Sequence, residues 1–250
     1  MRRLTAFILH RMLRSAVARY PTSGQTDEFR YVWDSLSRNP IFLWALRRQL
    51  ADKDHYCIRT ECLNRIIGLQ PQLFAFVTII APDRFLDAIA RDAPLLVVQI
   101  HEGPPSLTKL LADRHRSFSR IVRHAPRHFR RLKAMRVDMS QMHFIESDVR
   151  SLAKLRTAAQ AGHIIGCAID YRDKNGKFAF INPAIFGFAK QADLPVVFIR
   201  ADVDQAGIVH LAASEPHAVS EETATAEAFR DFYNALPGRK LDLAVKRYYA

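Results

Sequence analysis

Pro94-Leu95-Leu96-Val97-Val98-Gln99-Ile100-His101-Glu102-Gly103-Pro104-Pro105 is an apolar run that ends abruptly in a histidine, a carboxylate and a turn. A continuous Leu/Val/Ile segment of this length, with proline before it and Gly-Pro-Pro after it, has the pattern of a strand buried on both faces of a parallel sheet. Ligands in open α/β sheets bind beyond the carboxyl ends of the strands, which is where His101 and Glu102 would stand. His101 is therefore the first candidate for a catalytic base, because imidazole changes its protonation state near neutral pH. Such a base usually needs a carboxylate to fix its tautomer. Glu102 is adjacent and would point away in an extended chain, but the Gly-Pro-Pro turn can re-aim it. A histidine in this position can equally close a strand by hydrogen-bonding a loop.

Strand and helix patterns alternate beyond Pro94. Strands are expected at 95–100, 119–122, 142–145, 164–169, 177–181, 196–199 and 208–213, and helices at 106–113, 128–135, 149–161, 185–192, 221–236 and 239–249. That alternation predicts an α/β fold with a largely parallel central sheet flanked by helices. Before Pro94 the rhythm is helical. Phe29, Val32, Trp33 and Leu36 share one stripe, Asn39-Pro40 interrupts it, and further helices follow at 41–50, 58–69 and 83–91, with 73–80 of undecided state. The expected organisation is a single domain over 1–250, with a helical N-terminal lobe at 1–92 and an α/β core at 93–250.

A chain of 250 residues with 49% apolar content can bury a sizeable core. The formal charge of +12 implies an anionic partner without saying which kind. Cys57, Cys62 and Cys167 are odd in number and lack zinc-ligand spacing, so they are expected to be reduced, buried thiols. No apolar stretch is long enough to span a bilayer. The first 20 residues carry Arg2, Arg3, Arg11, Arg14 and Arg19 and no acid, while Leu4, Phe7, Ile8, Met12, Leu13 and Val17 recur near helical spacing. Such a helix suits the interface of an anionic membrane, or equally a first helix docked on the domain.

Positive charge is densest between Arg114 and Arg136. Arg116, Arg120, Arg123, Arg127, Arg130, Arg131 and Lys133 lie between them, and His115, His124 and His128 are interspersed. A run this one-sided can grip phosphates, an anionic leaflet or an acidic carrier protein. Nucleic acid is disfavoured as a partner, since aromatics are sparse and no helix-turn-helix, zinc-finger or RNA-recognition pattern occurs. A phosphate-binding glycine loop, a Gly-x-Ser-x-Gly elbow and a His-Glu-x-x-His motif are absent too.

Four segments in this order resemble the lipid A biosynthesis late acyltransferases, the lauroyl and myristoyl transferases: Val97-Val98-Gln99-Ile100-His101, Ile121-Val122-Arg123-His124-Ala125-Pro126, Gly162-His163-Ile164-Ile165-Gly166-Cys167-Ala168-Ile169-Asp170 and Leu194-Pro195-Val196-Val197-Phe198. The resemblance covers about half the chain, 94–216. It implies transfer of an acyl chain from an acyl carrier protein or coenzyme A thioester to a hydroxyl or amine of a lipid-like or small amphiphilic acceptor, with no bound cofactor. It also implies a bacterial protein peripheral on the cytoplasmic side of the inner membrane. In that frame His101 is the base and Glu102 its partner. Arg123, with Arg120 and Arg127, would bind an anionic group, and Asp170 would orient the site or bind substrate. Two departures accompany it: the fifth residue after His101 is Ser106 where that family has an acid, and Phe178-Ala179-Phe180 replaces a Phe-Phe-Gly stretch. A catalytically silent acyl- or lipid-binding relative and a basic nucleic-acid binder are the alternatives.

Overall fold

The computed structural model describes residues 2–18, 26–49, 55–101, 104–122, 124–148, 150–172, 178–238, 240–241 and 243–246. Four helices come first: α1 (Arg2–Ala18), α2 (Thr26–Ser37), α3 (Pro40–Gln49) and α4 (His55–Leu69). The stripe read from the sequence of α2 is the one it buries, since Phe29, Val32, Trp33 and Leu36 all lie in the core. Asn39 caps α3, its side-chain oxygen accepting from the Ile41 and Phe42 N–H groups at 3.0 and 3.1 Å. Pro40 follows at the first helical position, where its missing N–H costs nothing.

The undecided segment at 73–80 divides in two. A 3-10 turn covers Pro71–Phe76, and Ile79–Ile80 forms β1. The helical first third thus contains one short strand, within the stretch that the sequence left undecided, and that strand joins the main sheet. After α5 (Asp83–Ala90) come β2 (Leu95–Gln99), α6 (Ser106–Ala112), β3 (Phe118–Val122), α7 (Ala125–Ala134), β4 (Met142–Glu146), α8 (Ser151–Gln160) and β5 (Ile164–Ala168). The chain continues through β6 (Asp170–Arg172), β7 (Phe178–Ile181), α9 (Ala184–Gln191), β8 (Val196–Val203), β9 (Val209–Ala213), α10 (Glu222–Ala235) and β10 (Ala244–Val245).

The main sheet has the order β1-β9-β8-β2-β5-β3-β4. From β8 to β4 every pairing is parallel; β9 runs antiparallel to β8, and β1 runs parallel to β9. The fold is therefore the expected α/β class with a largely parallel sheet. A second sheet, β10-β7-β6, includes two strands with no sequence signal, β6 and β10. The helix expected at 239–249 does not form over its described residues. Pro237 and Gly238 end the preceding helical pattern, the Asn234 side chain holds the N–H and the carbonyl of Leu241, and Lys240 reaches back to the carbonyl of Leu236 at the end of α10. Buried Leu241 then leads into β10 beside Phe180 and Ile181.

Two apolar layers cover the sheet, as the all-buried Leu95–Val98 run predicts. Leu95 and Val97 face a layer built with the N-terminal helices, α6 and α7, whereas Leu96 and Val98 face α8, α9 and α10. The N-terminal lobe shares a core with the sheet, and Trp33 is its main anchor. This ring is fully buried, and its Nε1 donates to the Gln205 carbonyl at 2.9 Å in the turn between β8 and β9. Gly207 closes that turn at φ +80°, and a Cβ there would lie 2.8 Å from the indole. Gly207→Ala combines backbone strain with a clash and is expected to destabilise the fold by about 1–3 kcal/mol, measured by urea unfolding.

Candidate active site

The parallel register of β2 against β5 assembles the site. Gln99 pairs with Ala168, and the Ile169 N–H bonds the Gln99 carbonyl at 3.0 Å. Two residues beyond that last pair on each strand stand His101 and Asp170. They meet through a single carboxylate oxygen, because Asp170 Oδ1 accepts the His101 backbone N–H at 2.6 Å and lies 3.0 Å from His101 Nδ1. A carboxylate only accepts, so the ring pairs as Nδ1–H and a neutral imidazole carries its lone pair on Nε2. The Asp170 side chain is fully buried while that of His101 is 56% exposed. The pair thus presents an oriented imidazole to solvent over a carboxylate that solvent does not reach.

Asp170, expected from the sequence as a substrate-binding or orienting acid, contacts His101 itself. Glu102 and Arg123 lie outside the described residues. Ser106 is no nucleophile for His101: it is buried at the start of α6, with its hydroxyl directed at the Pro104 carbonyl 3.4 Å away.

Arg120 joins the site from β3. It shares the Phe118 face of that strand, directed toward α6, where its Nη1 donates to Thr108 Oγ1 at 3.2 Å. Its register partner on β5 is Gly166, whose missing side chain admits the Phe118 ring; a Cβ there would fall 2.5 Å from Phe118 Cζ. Loss of water around the guanidinium pulls the Arg120 pKa down, Arg131 pulls it further, and Cys167 acts the opposite way. Arg127 and Arg131 project from α7, which Pro126 starts and buried Leu132 anchors. Among the described residues Arg120, Arg127 and Arg131 have no carboxylate partner, in contrast to Arg116, which pairs with Asp92 at 3.0 Å. The sequence flagged this stretch as a whole. Strand parity turns Arg120 inward, whereas Arg127, Arg130 and Arg131 lie on the exposed side of α7.

Cys167 is buried behind the pair on β5, where desolvation, reinforced by the Asp170 charge and opposed by Arg120, pushes its thiol up to about 12. It is no thiolate nucleophile at neutral pH. The described residues contain no cluster of metal ligands.

No helix among the described residues is long and apolar enough to cross a membrane. On α1, Leu9, Leu13 and Ala16 dock into the core while Leu4 and Phe7 stay exposed; on α3, Ile41 and Trp44 are exposed, with Arg48 lying 5.9 Å over the Trp44 ring. Thr5 Oγ1 accepts from Gln49 Nε2 at 3.2 Å, which ties the start of α1 to the end of α3. The reading of the first helix as docked on the domain thus holds for its Leu9 face.

No family model and no curated protein matches the chain. Among solved structures, it is similar to the 1-acyl-sn-glycerophosphate acyltransferase PlsC from Thermotoga maritima, at 14% identity and a TM-score of 0.44, over 82% of this chain and 91% of that one. At that distance the function has to be argued from the chain's own geometry.

Burial also sets thiol reactivity. Desolvation raises the pKa of Cys62 on α4 far above the ordinary thiol value, as it does that of Cys167. A disulfide reagent at pH 8 is expected to leave Cys62 and Cys167 unmodified in the folded protein and to label both after denaturation, as read by mass spectrometry of the labelled peptides.

Proposed function

We propose that the protein is an acyltransferase in which His101 is the general base and Asp170 holds it. The acceptor, a hydroxyl or amine on a lipid-like or small amphiphilic molecule, gives its proton to His101 Nε2 as it attacks the carbonyl carbon of an acyl thioester on acyl carrier protein or coenzyme A. The tetrahedral intermediate collapses, the carbon–sulfur bond breaks, and the departing thiolate takes the proton back from the imidazolium. Asp170 stabilises that imidazolium without itself being protonated. Arg120 and its neighbours supply the positive field in which negative charge develops on the carbonyl oxygen.

The single observation that carries this reading is the contact between His101 and Asp170, in which an exposed imidazole and its own backbone N–H both meet one oxygen of a buried carboxylate. Direct transfer is favoured over a covalent enzyme intermediate because the two nearby nucleophile types, Ser106 and Cys167, are buried, and the Cys167 thiol is pushed up to about 12. Asp170 takes the part that the sequence reading gave to Glu102. The basic α7 and the exposed apolar residues of α1 and α3 suit peripheral attachment to an anionic membrane surface, where a lipid-like acceptor would be met.

The reading is tested by offering the purified protein acyl carrier protein and coenzyme A thioesters with lysolipid acceptors and following acylated product by mass spectrometry. The wild type is expected to form product, His101→Ala to lose about 10²–10⁴-fold in rate, and Asp170→Asn to lose about 10³-fold or more through the wrong tautomer. An inactive wild type, or a His101→Ala variant as fast as the wild type, would sink the proposal. Acyl binding without turnover would instead identify a silent relative.

A further inference from the structure

Arg200 of β8 is a buried charge in the apolar layer that β8 shares with α10. A guanidinium in such a place costs more than an aliphatic side chain of similar volume unless its donors are met. Here they are met. Nε and Nη2 donate to Asp202 Oδ1 at 3.2 and 3.0 Å, and Cζ lies 4.5 Å from the centroid of the Tyr233 ring. Nη1 donates to the Tyr233 carbonyl at 3.1 Å and Nη2 to the Pro237 carbonyl at 2.7 Å. A cation at the carboxyl end of a helix satisfies carbonyls that the helix itself leaves open. Arg200 thereby pins the chain to the main sheet at the point where α10 ends and the C-terminal segment departs.

That segment leads back to the acid of the active site. The Asn234 amide holds the N–H and the carbonyl of buried Leu241 at 2.6 and 3.0 Å, and β10 follows. Val245 of β10 pairs with Ile181 of β7, and Ile181 pairs in turn with Asp170 of β6. The Lys246 N–H donates to the Ile181 carbonyl at 2.9 Å, and the Asn182 N–H to the carbonyl of Ile169, the residue before Asp170, also at 2.9 Å. Strands β6, β7 and β10 have only three, four and two residues. A hairpin as short as β6 and β7 is marginal without a third strand. We propose that Arg200 and Asn234 are positioning residues for the His101–Asp170 pair, acting through β10, which steadies β7 and with it the strand that carries Asp170. The hold matters because one carboxylate oxygen serves two His101 donors, so a small shift of β6 releases one of them. Only the expected loss of turnover rests on the acyltransferase reading; the tautomer of the His101 ring reports the pair directly.

A neutral imidazole free in water favours the Nε2–H tautomer, whereas the contact with Asp170 requires Nδ1–H. Nitrogen NMR of histidine-labelled protein, at a pH where the ring is neutral, distinguishes the two, and the His101 signals are assigned by their loss in His101→Gln. The wild type is expected to hold His101 as Nδ1–H. Asn234→Ala and Lys246→Pro should shift it toward Nε2–H and lower kcat about tenfold at unchanged KM. Proline at 246 removes the donor to Ile181 and keeps an extended chain. Arg200→Gln should act in the same direction; because Arg200 is buried, half-buried Asn234 and exposed Lys246 keep the test sound if that variant fails to fold. Gly207→Ala, which weakens the fold at the Trp33 anchor, should leave the tautomer as in the wild type. Full retention of Nδ1–H in both Asn234→Ala and Lys246→Pro would overturn the proposal, and so would an equal shift in Gly207→Ala, the sign of general loosening. A wild type that holds Nδ1–H, loses it in the two variants and forms no acyl product would sustain the positioning role and sink the acyltransferase reading alone.

Discussion

The hydrogen bond between Asp170 and His101 depends on a registration 69 residues apart in sequence and two residues past the last paired position of adjacent strands. Neither residue could be placed by local structure alone. The backbone N–H and ring N–H of His101 both satisfy the fully buried Asp170 carboxylate, and bonds of this charged type are worth roughly 1.5–3 kcal/mol each. The same two bonds fix the imidazole in position and tautomer. The parallel sheet, with Leu95 to Val98 and Ile164 to Cys167 buried as its spine, therefore acts as the jig that holds a base over an acid.

Around that pair the chain concentrates positive charge and withdraws water from it. Arg120 sits inside the α6 and α7 layer, bonded only to a threonine among its described partners, and Arg131 loses part of its hydration as well, so both guanidinium pKa values fall. A field of one sign in a partly dry recess acts far more strongly than the same charges spread over a wet surface. The uneven charge of the sequence is thus partly local, gathered on β3 and α7.

What could be read without coordinates followed from patterns that short windows carry. The strand ending at His101 was legible because proline bounds an unbroken aliphatic run, and α2 because four large apolar residues share a helical stripe. Asp170 was legible only through the family resemblance, as an acid that would orient the site or bind substrate, since the Asp-Tyr-Arg strand that contains it is three residues long and has no apolar alternation. Glu102, a candidate partner by nearness in sequence, lies outside the described residues, whereas Asp170, which contacts His101 in the structure, is near it only through a crossover. Strand β1 was hidden for a similar reason: two residues give no period, and their pairing with Val209 and His210 lies beyond any local window. The apolar spacing after Arg239 suggested a helix, but Asn234 and Lys240 tie that segment back onto the end of α10.

The strand order has a further consequence in time. Synthesis delivers β2, β3 and β4 before β5, yet β5 belongs between β2 and β3 and bonds both. A chain made as far as α8 holds β2 on one side and the β3-β4 pair on the other, with the place of β5 open between them. Filling that place brings Asp170 to His101 in the same event that joins β2 to β3, a non-local and therefore slow step, before β8 and β9 extend the sheet beyond β2.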